Sequence, residues 1–240
     1  MKTKHLGLAM ALTAIVFSGC YFDDIFDCER GRGGTVTETL DISAFDRIRL
    51  DIPARVYLTQ GDYFEVVVEG RRNVIDEIER DVHDGEWDIE FDRCMREIGD
   101  LDIYITIPSI ARVIVQSSGE VYGENTIVAS QMDLLMRGSG LIDLALDVDY
   151  LDARIQGSGD IYLEGSVHSQ NVEINASGDY GAFNLVSDDA DVRINGSGDA
   201  QVYVNEYLKV KIRASGDVYY KGDPELDISI TGSGDVFNAN

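Results

Sequence analysis

Ser, Gly and Asp stand side by side five times in the second half of this 240-residue chain: Ser158-Gly159-Asp160, Ser177-Gly178-Asp179, Ser197-Gly198-Asp199, Ser215-Gly216-Asp217 and Ser233-Gly234-Asp235. A hydroxyl beside a carboxylate is the material of a nucleophilic site, and a stack of carboxylates is the material of a hard-cation site, which would suit Ca²⁺. Copy number argues against the first. A nucleophile is singular, whereas each of these serines is matched by its copies. For the carboxylates, the reading carried forward is that each Asp bonds backbone N–H groups at a turn. Ca²⁺ bridging is kept as the alternative, since stacked carboxylates repel unless solvated, hydrogen-bonded or bridged. His83 and His168 are the only histidines after the leader, and neither sits in a metal-ligand or triad-like motif. A zinc-binding His-Glu-x-x-His, a Cys-x-x-Cys, a Gly-x-Ser-x-Gly elbow and a phosphate-cradling loop are all missing from the sequence. No catalytic residue, metal ligand or cofactor is therefore assigned.

One residue does have an expected covalent fate. Lys2 and Lys4 form a positive start, residues 6–17 an apolar run, and Ser18-Gly19-Cys20 a small-residue cleavage site. Phe17-Ser18-Gly19-Cys20 resembles a bacterial lipobox, which makes Cys20 the lipidated first residue of a mature chain anchored to the outer membrane. It would face either the periplasm or the cell surface. A plain signal peptide is the alternative. Tyr21 follows rather than Asp, so retention at the inner membrane is not signalled. That leaves Cys28 and Cys94, an even pair in an oxidising compartment, where a disulfide is expected and two free thiols are the alternative. Such a bridge stabilises by about 4 kcal/mol in the chain-entropy model.

The elements that must carry these residues follow from a repeat. Ser-Gly also occurs at Ser118-Gly119 and Ser139-Gly140, making seven copies spaced 21, 19, 19, 20, 18 and 18 residues apart. Three residues before each Ser stand Val115, Met136, Ile155, Ile174, Ile194, Ile212 and Ile230, and five before stand Val113, Leu134, Ala153, Val172, Val192, Val210 and Ile228. Three after stand Val121, Ile142, Ile161, Tyr180, Ala200, Val218 and Val236. Period-two alternation in β-branched segments is a strand signature. Each unit reads as strand, Ser-Gly-Asp corner, strand, then a variable connection such as residues 164–170 or 187–190. Units with one apolar stripe must stack, which predicts an all-β fold: a parallel β-solenoid of about seven rungs with four inward positions each. Stacked at strand spacing it stands roughly 34 Å tall. Glycine at the corner is expected to supply a backbone conformation closed to residues with a Cβ. A β-sandwich would show varied turns instead.

The organisation expected is a leader over 1–19, a lipid-anchored tether over 20–35, a β-rich capping part over 36–107 and the solenoid over 108–240. Within the capping part, residues 45–59 and 64–69 read as strands joined by a turn at Gln60-Gly61-Asp62. Residues 73–81 read as one short helix, and 87–91 and 101–107 as strands.

Phe45-Asp46-Arg47-Ile48, Ala54-Arg55-Val56-Tyr57-Leu58, Ile103-Tyr104-Ile105-Thr106-Ile107-Pro108 and the reiterated Gly-Ser-Gly-Asp together resemble the head GIN domain family, an autotransporter-adhesin head, over residues 36–237. Glu120 and Leu141 depart from the pattern, standing where later copies have Asp. The resemblance implies a β-helical fold and an envelope location, and brings no catalytic residues.

Net charge narrows the partners. The chain carries 20 basic and 44 acidic residues, or −24, and removal of Lys2 and Lys4 with the leader takes it to −26. Such a field repels nucleic acid. Parallel β-helices also host polysaccharide lyases and hydrolases, but the even spacing leaves little chain for a cleft, and 44 acids make carboxylate pairs unavoidable by chance. The expectation is a non-enzymatic binding or adhesion module for glycan or envelope-protein partners. A purely structural envelope protein is the alternative. Tyr162, Tyr203 and Tyr219, close to corners, are the candidate contact aromatics.

Overall fold

A computed structural model describes residues 28–240; Cys20 and the leader expected over 1–19 lie outside the described residues. The described residues are nearly all β, 61% strand and 2% helix, wound into a β-solenoid of about seven turns. Successive rungs pair parallel and in register: Ile155 faces Ile174, Ile174 faces Ile194, and Ile194 faces Ile212. Every apolar position named three or five residues before a corner is buried except Ile228 and Ile230 in the last rung. There the two residues are about 40% exposed, because no rung of the described chain stacks on them. The result is continuous inner ladders, each side chain packing on its copy above and below.

Two details differ from what the repeat predicts. The connections belong to the ladder: Asp160–Ile174 is one strand bent at Gly165, whose φ of +108° favours glycine. Each rung consequently buries more than four side chains. Ile161, Leu163, Val167, Gln170, Val172 and Ile174 all turn inward from this single strand.

Corner glycines also act differently from expectation. None of them has a left-handed φ. Their constraint is the rung beneath: a Cβ on Gly178, Gly198, Gly216 or Gly234 would stand 2.0 Å from the carbonyl oxygen of the preceding corner glycine. The corners stack backbone on backbone, leaving no room for a methyl group.

The N-terminal part joins the same column. Arg47–Leu50 pairs parallel with Arg112–Val115, and Arg55–Gln60 with Glu120–Gly123. Beyond them Glu86–Ile89 and Asp102–Ile107 add a further parallel layer. Glu65–Arg71 then runs antiparallel to Asp102–Ile107 and to Thr35–Thr39, so the parallel stack gives way to antiparallel pairing at this end. Residues 45–59 are therefore two strands and not one. Pro53, which has no N–H to donate, sits in a corner that receives Ser117 Oγ on the Ile52 carbonyl at 2.8 Å. The helix is a single turn, Arg72–Ile75, with Val74 and Ile75 buried. It stops because Ile78 bridges to Phe91 and the Glu79 amide bonds the Glu90 carbonyl, committing that backbone to strand pairing. Fully buried Trp87 packs against Phe45 with the rings tilted by 36°, its Nε1 donating to the Glu79 carbonyl at 2.9 Å.

Candidate functional site

At the corners the structure places the five sequence-predicted triplets in one column. Each of the first four Asp accepts the backbone N–H of the Asp one rung on: Asp179 N to Asp160 Oδ1, Asp199 N to Asp179 Oδ1 and Asp217 N to Asp199 Oδ1 at 2.8 Å, and Asp235 N to Asp217 Oδ1 at 2.7 Å; Asp235 Oδ1 takes the Val236 amide at 2.9 Å. The return bond is backbone to backbone, with Ile161 N on the Asp179 carbonyl and Tyr180 N on that of Asp199. One carboxylate oxygen per rung is thereby committed to an amide, as a turn-capping role requires. The serines Ser158, Ser177, Ser197, Ser215 and Ser233 are exposed, while Gly159, Gly178, Gly198, Gly216 and Gly234 are buried between rungs. At the first corner, where Glu120 replaces Asp, Ser117 Oγ caps instead, accepting from Gly119 N at 3.0 Å. Among the described residues no group of three or more His, Cys, Asp or Glu side chains is arranged to hold a metal ion.

Cys28 and Cys94 form a disulfide, closing a separation of 66 residues beside the short parallel pair Glu29–Arg30 and Met95–Arg96. His168 and His83 lie apart. His168 Nδ1 is 2.8 Å from Asp188 Oδ2, and this hydrogen bond holds the imidazole pKa above its ordinary value.

Outside the corners the rungs present two contrasting sides. One is an ion-pair ladder. Asp133, nearly buried, bridges Arg112 and Arg154 at 2.7 Å each, while Arg49 pairs with Glu86 and Asp88. These pairs neutralise one another within the face.

The other side carries an aromatic column. The ladder aligns Tyr104, Tyr57, Tyr122, Asp143, Tyr162, Gly181, Gln201, Tyr219 and Phe237 on consecutive rungs. Tyr57 stacks on Tyr104 with ring centroids 5.0 Å apart and on Tyr122 at 5.8 Å, and Tyr219 stacks on Phe237 at 5.1 Å. Tyr162 leans over Gly181, where a Cβ would come within 2.4 Å of its ring. Beside it opens a cleft of about 380 Å³ lined by Asp143, Phe183, Gln201 and Lys221, with Lys221 Nζ 4.5 Å above the Phe183 ring. Desolvation raises the phenol pKa of Tyr104, Tyr122, Tyr162 and Tyr219, and neighbouring carboxylates push in the same direction. Of the three aromatics singled out from sequence, Tyr162 and Tyr219 fall in this column and Tyr203 does not. The Ser-Gly repeat does not reveal Tyr57, Tyr104 and Tyr122, because their rungs precede or depart from it. The register of Tyr57 and Tyr104, each two residues past an Arg or Asp at a strand start, was the signal available.

A family model described as "Putative auto-transporter adhesin, head GIN domain" matches residues 44–224. No curated protein matches. Among solved structures, the fold is similar to that of a "putative adhesin" from Bacteroides fragilis, with a TM-score of 0.83 at 24% identity, covering 87% of this chain and 99% of that one. A "putative adhesin" from Parabacteroides merdae matches with a TM-score of 0.73 at 19% identity, covering 88% and 98%. A Parabacteroides distasonis protein titled a "putative lipid binding protein" matches at 0.74 and 24%, covering 88% and 99%. At these identities the likeness to the solved structures is one of fold.

Proposed function

We propose, from the premise that this chain belongs to the head GIN domain family over residues 44–224, that it works as a non-enzymatic binding module of the bacterial envelope. Lipid on Cys20 anchors it to the outer membrane, and its regular lateral surface engages glycan or envelope-protein partners. The observation that carries this reading is the aromatic column. Tyr104, Tyr162 and Phe237 are each more than 40% exposed, on a rigid ladder whose spacing is set by the backbone. Exposed aromatic faces are costly to hydrate and strongly favoured at contact surfaces. Preorganisation by the ladder removes the ordering cost that a loop would incur on binding. The committed Asp oxygens at the corners favour a capping role there over cation binding.

The test is retention on the immobilised full chain of components from envelope extract and from a glycan array. A defined component should be held, and Tyr162→Ala with Tyr219→Ala should reduce its retention without altering the far-UV spectrum. A chain that retains nothing overturns the reading. Protease shaving of intact cells separates a surface-facing module, which is cut, from a periplasmic one.

A further inference from the structure

Further along each rung a second outward column reads Gln131, Tyr150, Ser169, Asp189, Tyr207 and Glu225, again in register. Two large rings flank two small polar residues. Tyr150 and Tyr207 are three rungs apart, about 14 Å along the stack at strand spacing. Between them lies an open cleft of about 490 Å³, lined also by Asn171, Asp191, Arg193 and Lys209. Both rings are exposed, at 39% and 38%.

Three features set this cleft apart from a dip between side chains. Asp191 Oδ2 receives Arg193 and, at 3.5 Å, Lys209 Nζ, but Asp191 Oδ1 is buried with no hydrogen-bond partner. The carboxylate is therefore not saturated by its own neighbours. The strand register also slips between Ser187 and Asp189, and such irregularities re-aim side chains beside sites. Finally, the otherwise apolar inner column of Leu151, Ala190 and Leu208 is interrupted by buried Gln170 directly under the cleft. Its amide oxygen accepts from Tyr180 Oη at 2.8 Å, its Nε2 donates to Ser187 Oγ at 2.9 Å, and Ser187 Oγ donates to the Tyr203 carbonyl at 2.9 Å. A satisfied buried network of this kind fixes the backbone beneath the cleft.

The lining also balances in charge. Asp189 and Asp191 oppose Arg193 and Lys209, giving a neutral patch on a chain of net charge −24. We propose that this cleft is a binding subsite for a neutral pyranose ring. The sugar's C–H face lies on the electron-rich face of Tyr150 or Tyr207, one hydroxyl donates to the Asp189 or Asp191 carboxylate, and another accepts from Arg193 or Lys209. Two aromatic walls and a floor of few, fixed polar groups make a small-molecule site of the usual kind. Deepening the binding-module reading, the inference rests on it for the class of ligand, yet the site is separate from the aromatic column.

The experiment is saturation-transfer NMR on the full chain with methyl pyranosides of glucose, galactose, mannose and N-acetylglucosamine, alongside methyl glucuronide and a tyrosine-free acidic peptide. At least one neutral pyranoside should receive saturation. Its affinity should fall roughly tenfold in Tyr207→Ala and in Asp191→Ala, the loss of one good contact, and stay unchanged in Tyr63→Ala, an exposed ring outside both columns. If Asp191→Ala does not fold, Tyr207→Ala and Tyr150→Ala carry the decision. The proposal is overturned if no neutral pyranoside binds, if only the glucuronide or the peptide does, or if binding is indifferent to the cleft variants. The two readings separate cleanly. Pyranoside binding without retention of any envelope component upholds the cleft and refutes the adhesive role. Retention without pyranoside binding refutes the cleft alone.

Discussion

The Asp199 carboxylate holds the amide of Asp217 at 2.8 Å, and the amide of Asp199 is held in turn by Asp179. Replacing Asp199 by Ala removes one charge-assisted acceptor from an interior corner and should lower stability by about 1–2 kcal/mol in urea titration, with Asn recovering part of the loss. Ser197→Ala removes an exposed hydroxyl and should change stability by no more than about 0.5 kcal/mol. Gly198→Ala should be the severe one, roughly 2–4 kcal/mol, because its methyl group meets the Gly178 carbonyl oxygen. The ranking Gly over Asp over Ser is the signature of a stacked corner; a catalytic serine would leave stability flat and abolish an activity instead. His168 offers a pH check. Its raised pKa means that pairing with Asp188 contributes stability in full below the ordinary imidazole pKa and loses it as the pH rises through the raised value. NMR titration should find that pKa above the ordinary one, and Asp188→Asn should bring it back down.

At the scale of a strand, the inner columns tolerate interruption only where partners are supplied. Gln170→Leu fits the apolar column but strands Tyr180 Oη and leaves Ser187 Oγ only its bond to the Tyr203 carbonyl, and should cost about 1–3 kcal/mol. Adding Tyr180→Phe should return part of that loss, a coupling that a double-mutant cycle measures directly. Much of this scale could be read from residue types. The positions three and five before each Ser were identified as inward, and they are buried through the sixth corner. What escaped was the connection. Residues 164–170 carry Glu164, Gly165 and Ser166, which look like a loop, yet their backbone pairs with the rungs on either side. Polar side chains pointing outward from a bent strand have the composition of a loop, so pattern alone does not distinguish the two. The same blindness applied to the Tyr150 and Tyr207 cleft. Its walls lie three rungs apart in space and 57 residues apart in sequence, and its unpaired oxygen is a property of packing.

For the molecule as a whole, the repeat revealed the column and the cysteine count the staple, but not the order of the layers. Residues 47–60 stack between the layer at 86–107 and the first Ser-Gly rung, out of chain order, and no periodicity links those segments. Parallel pairing over such separations is written in shape complementarity and not in any local signal. Reduction of Cys28–Cys94 frees a 66-residue separation at this irregular end and should lower stability by up to about 4 kcal/mol, read as a fall in melting midpoint with dithiothreitol. If the solenoid behaves as a chain of nearest neighbours, the loss should concentrate in hydrogen-exchange protection of the N-terminal layers and spare the rungs past the third corner.

The glycine stack has one more implication, and it concerns inheritance. Backbone rests on backbone at every corner, so a new unit needs only its own small residue and two inward stripes to sit on its neighbour. Unequal crossover between two such units, 18 to 21 codons long, lengthens the column by one strand spacing, about 4.8 Å, and leaves each lateral column in phase. Reach is then a quantity that copy number sets in small, nearly equal steps. Relatives that differ in how far they extend need not differ in how they fold.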